Sequence, residues 1–322
     1  MKSSKTLTPN KRYKRDIYID KKLYKKLKNV LIYGGCIQKN ASLEHLHTYR
    51  IKCKAKWLIT VTNESELICV LSLLYEHKKH YFILGKGSNV LFTKKKVRSI
   101  VVNIKQTQQN KKDVKFYRKK FVSAFAGVST NYLMHFAKER SLSGLEFLSL
   151  IPASVGGACF MNAGSFNSSM QKVVYKVKYF YNGKVFLLKA NQKHFLYRST
   201  IFKKMSAVII SVTFKLENST SLEVGKKMRL YGQTKKENQP LEQNSCGSVF
   251  KNGNNYFAAV LVQNLNLKGK RVGGAQISQK HANFIVNLGG AKAKHVLKLI
   301  KIVKKKIKKH YNICILLEVV LQ

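Results

Sequence analysis

Three residues in this chain are set where an ionisable or nucleophilic group is worth a question. Glu318 lies inside ILLEVVL, and it is one of only 14 acidic residues in a chain of 322. Period-2 alternation in a strand places it on one face with Leu316 and Val320. A carboxylate among apolar neighbours needs a partner or a raised pKa, since burial penalises the charged form. A salt bridge to one of the many lysines, or an edge position, satisfies the same spelling. Arg198, in FLYRSTIF, is one of few arginines and is also set among apolar residues. Ser248 follows a glycine in SCGSVFKN, as reactive hydroxyls in tight turns do, and the same letters suit an ordinary loop.

Two glycine-rich segments suggest a ligand carrying phosphate. GKGSN (Gly85, Lys86, Gly87, Ser88, Asn89) directly follows the apolar run YFIL. Glycines let backbone approach a ligand, and successive N–H groups form an anion-binding nest. The spacing is not G-x-G-x-x-G opening a helix, so a Rossmann site is disfavoured. A tight hairpin turn fits GKGSN equally well. The second segment falls within residues 147–170, FLSLIPASVGGACFMNAGSFNSSM, which contain no charged side chain although 23% of the chain is charged. Pro152, Ser154, Gly156 and Gly157 precede an apolar stretch there, and Asn162 and Gly164 follow in MNAG. Backbone in such a segment can donate to phosphates without cationic side chains, and its small residues leave room for a flat ring. Close packing of a core loop is the alternative.

These candidates need elements to hold them. WLITVTN predicts a strand, ESELICVLSLLYEHKK an amphipathic helix, YFILGKGSNVLF a strand–turn–strand and SIVVNI a further strand. KFVSAFAGVSTNYLMHFAKERSL predicts a strand running into a helix with Ser129 as N-cap. VVYKVKYFYNGKVFLLKA predicts a β-hairpin with a type I′ turn at Asn182-Gly183, and SAVIISVTFKLE a strand. A helix near 221–237, a helix over 255–265 and a glycine-rich strand pair at 271–288 follow. A long helix comes next, whose apolar stripe is Val296, Ile300, Val303, Ile307 and Tyr311. The last strand is ICILLEVVLQ. The fold class is α+β, without tandem repeats, and residues 1–27 read as a solvated basic tail.

Composition bounds the rest. The chain is 45% hydrophobic and 11% aromatic, as folded proteins are. No apolar run approaches the ~20 residues that span a bilayer, and the N-terminus has no secretory h-region, so the expected location is the cytoplasm. The net charge of +47 invites a nucleic-acid partner. Lysine far outnumbers arginine, however, and base readers lean on the arginine fork. Abundant Lys, Asn, Ile, Tyr and Phe throughout read instead as compositional drift. The field retains a use in drawing in anionic small molecules. Six scattered cysteines without a C-x-x-C pair argue against a metal site or disulfide framework.

In this order, GKGSN, GLEFLSLIPASVGGACFMNAG, YRSTIF, QPLEQNSCGSVFKN and LKGKRVGGAQISQKHANFIVN resemble the UDP-N-acetylenolpyruvoylglucosamine reductase family. HTYRIKCKA is similar to that family's opening Thr-Phe-Arg-Ile-Gly-Gly segment, and the likeness spans about residues 45–321. The resemblance implies a two-part PCMH-type FAD-binding domain over 45–217, with a subdomain break near 93–97. A substrate-binding domain follows over 225–322. It implies an NADPH-dependent flavoenzyme that reduces the enolpyruvyl ether of UDP-N-acetylglucosamine to UDP-N-acetylmuramate for peptidoglycan. The spacing looks like that of the shorter subtype, which lacks a Tyr-bearing loop, and the enzyme is expected to be a monomer without metal or membrane attachment.

By the same carry-over, FAD is contacted by Arg50, Gly85, Gly87, Ser88, Asn89, Pro152, Ser154, Val155, Gly156, Gly157, Asn162 and Gly164. Tyr197 and Asn252 contact substrate. Arg198 and Glu318 stabilise the enolate-like state, and Ser248 gives a proton to the carbon beside the carboxylate. Four positions depart from the family pattern: Lys52-Cys53 for Gly-Gly, Asn238 for Lys, Gly253 for Pro and Leu317 for Pro. At Asn238 a phosphate contact passes to Lys235 or Lys236, or is lost. Two other readings remain: a flavin oxidoreductase of another substrate, and a basic nucleic-acid-binding protein that has lost catalysis.

Overall fold

The computed structural model describes residues 18–106, 113–117 and 120–322. The first element among the described residues is helix α1 (Lys21–Val30), capped by the Asp20 carboxylate, which accepts from Leu23 N at 2.8 Å. Leu23 and Leu27 sit one helical turn apart and are wholly buried, with Ile19 and Leu31 extending the row. This corrects the expected tail over 1–27: residues 19–27 dock on the protein, because an i, i+4 leucine pair outweighs the lysines around it. Residues 1–17 of that tail lie outside the described residues.

A first sheet combines β1 (Cys36–Ser42), β2 (Lys54–Val61), β3 (Tyr81–Leu84) and β5 (Lys96–Ile104) in the order β1-β2-β5-β3. The last three are parallel and β1 is antiparallel to β2. The crossover helix α2 (Glu64–Glu76) buries Leu67, Val70, Leu71 and Leu74, and its N-cap Asn63 accepts from Glu66 N. The GKGSN turn leaves β3 for β4 (Val90–Leu91). The two strands do not form a hairpin: β4 pairs in parallel with β15 (Val320–Leu321), the last strand of the chain. The turn therefore joins one sheet to the C-terminal region.

A second, antiparallel sheet is built from β6 (Val114–Tyr117), β7 (Phe121–Phe125), β8 (Val174–Tyr181), β9 (Lys184–Lys189) and β10 (Val208–Lys215), in the order β9-β8-β10-β7-β6. Asn182 (φ 46°) and Gly183 (φ 77°) turn β8 into β9 as a type I′ turn requires. Helices α3 (Thr130–Lys138) and α4 (Val155–Phe160) follow β7 and join its core. Ser129 occupies the α3 N-cap position, but its hydroxyl makes no capping bond.

Beyond α5 (Ser221–Asn238), a third sheet has the order β11-β14-β13-β12, from β11 (Asn244–Ser248), β12 (Arg271–Val272), β13 (Ala275–Ile277) and β14 (Phe284–Asn287). Helices α6 (Ala258–Asn264) and α7 (Ala293–Tyr311) share its core. In α7, Val296, Ile300, Val303 and Ile307 form the expected buried stripe, whereas Tyr311 is exposed where left-handed Asn312 ends the helix. Tyr49, Ile51 and Leu91 cross over into this third core, so the HTYRI segment and the GKGSN exit clamp the two halves together. The predicted last strand is shorter than expected. Only Val320–Leu321 forms a ladder, with an isolated bridge between Leu317 and Phe250. Ile315 and Val319 point into the core, leaving Leu316 and Glu318 on the opposite face.

Candidate active site

Arg198 sits in a two-residue turn between the short paired strands Phe195–Leu196 and Ser199–Thr200. Its φ of 52° is left-handed, a conformation that costs a non-glycine residue on the order of 1 kcal/mol and persists only where surroundings over-determine it. Here they do. Phe195 and Thr200 are buried, Asn162 Nδ2 donates to Leu196 O at 3.0 Å, and the Asn162 side-chain oxygen accepts from Gln171 N at 3.1 Å. Asn162, an expected cofactor contact, is 4% exposed, and its side chain secures the arginine turn. The guanidinium is held at both ends, Nε donating to Glu318 Oε1 and Nη2 to Gly164 O, each at 2.8 Å. Gly164 thus contributes a carbonyl to the arginine. Tyr197 is half exposed, with the guanidinium 5.1 Å from its ring centre.

Glu318 is fixed through its backbone. Its N–H donates to Val249 O at 2.9 Å, and its carbonyl accepts from Asn89 Nδ2 at 3.2 Å. Val320 N donates to Asn89 O at 3.0 Å, so the last residue of GKGSN brackets the glutamate. Ser248 ends β11, immediately before Val249 and after left-handed Gly247 (φ 73°). Residues remote in sequence therefore converge: Ser248, Glu318, Asn89 and, through its ion pair, Arg198. Asn252 accepts from Ala258 N at 2.9 Å, which pins its side chain at the start of α6.

The charges here are uneven. Burial raises the Glu318 pKa, opposed first by Arg198 and then by Lys251 and Lys203. Burial lowers the Lys203 pKa, and nearby Lys251 lowers it further. One carboxylate thus faces three cations, a setting for an additional anionic group. Cys246, two residues before Ser248, is pushed up to about 12 by burial and stays a neutral thiol beside the Tyr49 hydroxyl.

The two glycine-rich loops meet at one point: a Cβ at Gly85 would collide with Ser154 Oγ. Gly87 (φ 63°) packs so closely on Leu46 O and His47 that no side chain fits. Among the described residues, the backbone N–H groups of Lys86, Gly87, Ser88 and Asn89 reach no protein acceptor. Lys86 Nζ donates to Ser129 Oγ at 2.8 Å, which links the turn to the start of α3.

The second loop behaves differently. Val155 N donates to Val128 O at 2.8 Å, Gly156 N to Ala126 O at 2.9 Å and Gly157 N to Ser154 Oγ at 3.3 Å. The expectation that this backbone donates to phosphate is corrected: the first turn of α4 is satisfied internally, and Gly156 is small because a Cβ would sit 2.7 Å from that of Ala126. Gly157 and Pro152 are exposed, and a Cβ at Gly157 would meet only Ser154 Oγ. Arg50 (φ 53°) is exposed, hydrogen-bonded to the His45 ring. The departure at Cys53 is absorbed by the core, where the side chain packs among Leu43, Leu84 and Phe92, and Lys52 is exposed.

Sequence reasoning missed Lys203 and Lys251, which carry no local signal, and read Ser129 only as a helix cap, not as the partner of Lys86. Lys235, a candidate phosphate contact, is 5% exposed, and its ammonium donates to Ser149 O at 2.7 Å and Phe147 O at 3.4 Å. Among the described residues no group of His, Cys, Asp and Glu is arranged to hold a metal, and no helix is long and apolar enough to cross a membrane.

The residues present fit FAD. Open N–H donors in GKGSN with a cation alongside suit a pyrophosphate, and the small, uncharged wall of residues 152–157 suits a flat ring. A carboxylate–guanidinium pair and a serine stand beside the same turn. Fold and site together define a flavin-dependent oxidoreductase with a distinct α+β C-terminal region.

Comparison with known proteins narrows this class. An FAD binding domain family model matches residues 55–185, and one for the UDP-N-acetylenolpyruvoylglucosamine reductase C-terminal domain matches residues 239–322. UDP-N-acetylenolpyruvoylglucosamine reductase of Caldanaerobacter subterraneus is 34% identical over 298 residues, covering 92% of this chain and 97% of that protein. The Clostridium novyi enzyme is 34% identical over 290 residues, covering 90% and 92%. The crystal structure of the Thermus caldophilus enzyme (MurB) superposes with a TM-score of 0.75 at 31% identity, covering 89% of this chain and 99% of that one. The chain belongs to the UDP-N-acetylenolpyruvoylglucosamine reductase family.

Proposed function

We propose that this protein reduces the enolpyruvyl ether of UDP-N-acetylglucosamine to UDP-N-acetylmuramate in the cytoplasm, with NADPH as electron donor. The observation that carries the reading is the Arg198–Glu318 pair at 2.8 Å, held beside Ser248 and bracketed by Asn89 of the flavin loop. FAD, which Gly85, Gly87, Ser88 and Asn89 would hold, would supply the hydride chemistry linking NADPH to the terminal enolpyruvyl carbon. The protein's own groups manage the charge that follows. Negative charge develops on the neighbouring carbon and its carboxylate, where preorganised donors act most strongly.

Arg198 supplies a fixed guanidinium there, and Lys203 and Lys251 add to the field that receives the substrate carboxylate. Glu318, whose pKa burial raises, acts best in its protonated form, as a donor rather than a second negative charge. Ser248 gives its hydroxyl proton to the carbanion carbon; a hydroxyl is a weak acid, but a carbanion is a far stronger base. Gly85, Gly87, Ser88 and Asn89 cradle the cofactor pyrophosphate, Pro152, Ser154 and Gly157 border the ring, and Tyr197 and Asn252 contact substrate. An anaerobic flavin titration tests the reading. NADPH is expected to bleach the flavin, and the enolpyruvyl substrate to restore its absorbance. Bleaching without recovery would assign the enzyme another acceptor.

A further inference from the structure

Residues 147–170 are free of charged side chains, yet one cation is sunk into them from outside. Lys235 reaches from α5, and its ammonium lies 5.4 Å from the centre of the Phe166 ring as well as against the Phe147 and Ser149 carbonyls. Tyr231, one helical turn earlier, stacks on Phe166 with centroids 4.0 Å apart and planes 7° from parallel. Burying an ammonium costs several kcal/mol before compensation, and an apolar side chain would seal this contact more cheaply. The charge is therefore not explained by packing.

The surrounding bonds show what it reaches. Phe147 O also accepts from Ser165 Oγ at 2.5 Å; Ser165 follows Gly164, whose carbonyl accepts from Arg198 Nη2; and Arg198 Nε donates to Glu318 Oε1. Lys235 thus anchors one end of a contiguous chain of contacts whose other end is the reacting pair. We propose that Lys235 is a positioning residue for the reaction: its ammonium fixes the 147–149 wall and, by repulsion and through Ser165 and Gly164, holds Arg198 against Glu318. This role rests on the function proposed above.

Burial, reinforced by Arg198, lowers the Lys235 pKa to about 8. Arg198 is the charged group acting on it from the 195–200 turn. Tyr231 faces the same pocket from its own helix. In the 146–148 segment, Glu146 spends its carboxylate on the Ser143 hydroxyl and Gly144 N–H.

The test separates the two half-reactions by anaerobic stopped flow. Wild-type enzyme that NADPH bleaches but substrate does not reoxidise overturns the reaction itself, and this is seen before any variant is made. Given a competent wild type, Lys235→Met is expected to slow substrate-driven reoxidation on the order of 10–100-fold through loss of alignment, while bleaching by NADPH keeps its rate. Lys235→Arg restores most of the reoxidation and removes the wild-type decline above about pH 8, where Lys235 loses its proton. Equal losses in both half-reactions for Lys235→Met would mark a purely structural role and overturn the proposal, as would an unchanged decline in Lys235→Arg. Should Lys235→Met fail to fold, the pH profile of Lys235→Arg decides alone.

Discussion

The two sides of the site are made of different material. The flavin side presents backbone: the N–H groups of Lys86 to Asn89 are open, and the loop's fit is set by Gly85 against Ser154 and by Gly87 against Leu46 and His47. The proposed substrate side presents side chains brought from separate segments: Arg198 tied to the Gly164 carbonyl, Glu318 tied through its N–H to the Val249 carbonyl, and Ser248 held at the end of β11 in register with Phe284. A backbone surface tolerates changes of side-chain chemistry but not added bulk. A side-chain constellation fails on the loss of a single atom. The two sides should therefore break under opposite kinds of substitution and in opposite half-reactions.

The largest effect is expected at Ser248. Ser248→Ala should slow substrate-driven reoxidation by about 10²–10⁴-fold, the range of a lost general acid, and leave bleaching by NADPH intact. A joint collapse of both half-reactions would place Ser248 on the flavin side and dissolve the contrast. Next is Glu318→Gln, expected to cost on the order of 10²-fold in reoxidation. It also carries a stability signature. Burial raises the Glu318 pKa above its ordinary value of 4.5, so the fold favours the protonated form. Wild-type stability relative to Glu318→Gln should then decline as pH rises from 4.5 through the raised value. A melting-temperature series that instead rises would show Arg198 overcoming burial.

How much of this was legible beforehand depended on what each residue reports locally. The Asn182-Gly183 turn, the α5 and α7 helices and the strands of both N-terminal sheets other than β1 and β6 follow from period and turn chemistry, which are short-range; those two edge strands, CIQKNAS and VKFY, carry no clear alternation of their own. The convergence of Arg198, Ser248 and Glu318 did not follow from spacing, since 120 residues separate the ion-paired side chains; the order of long motifs carried it. Lysine-rich composition hid two features. It masked the Leu23–Leu27 row of α1, and among 61 basic residues it left Lys235 legible only as a candidate phosphate contact, not as a buried ammonium. GKGSN and IPASVGG have similar spellings but opposite donor accounts, because partners such as Val128 O and Ala126 O are supplied by distant backbone that no local pattern names.

The flavin side is broken by adding atoms. Gly85→Ala drives a Cβ into Ser154 Oγ. Overpacking of this kind costs about 1–3 kcal/mol, which appears as weaker FAD retention of roughly tenfold. Adding Ser154→Ala should recover part of the loss, because it removes the oxygen that the new methyl meets, and a double-mutant cycle isolates that coupling. If Ser154→Ala recovers nothing, the Gly85–Ser154 contact does not set the loop's geometry.

The smallest effect should come from the charged side chain of the GKGSN turn itself. Lys86 rests its ammonium on Ser129 Oγ, and partial burial lowers its pKa. If backbone donors do most of the binding, Lys86→Met should weaken FAD by only a few-fold, ~1 kcal/mol, as a partly exposed charge does. That loss should shrink with added salt, since screening removes a charge term and leaves backbone hydrogen bonds in place. Flavin retention across a salt series distinguishes the cases. A loss approaching that of Gly85→Ala, unchanged by salt, would mean that Lys86 organises the turn itself through Ser129. The flavin side would then depend on a side chain as the substrate side does.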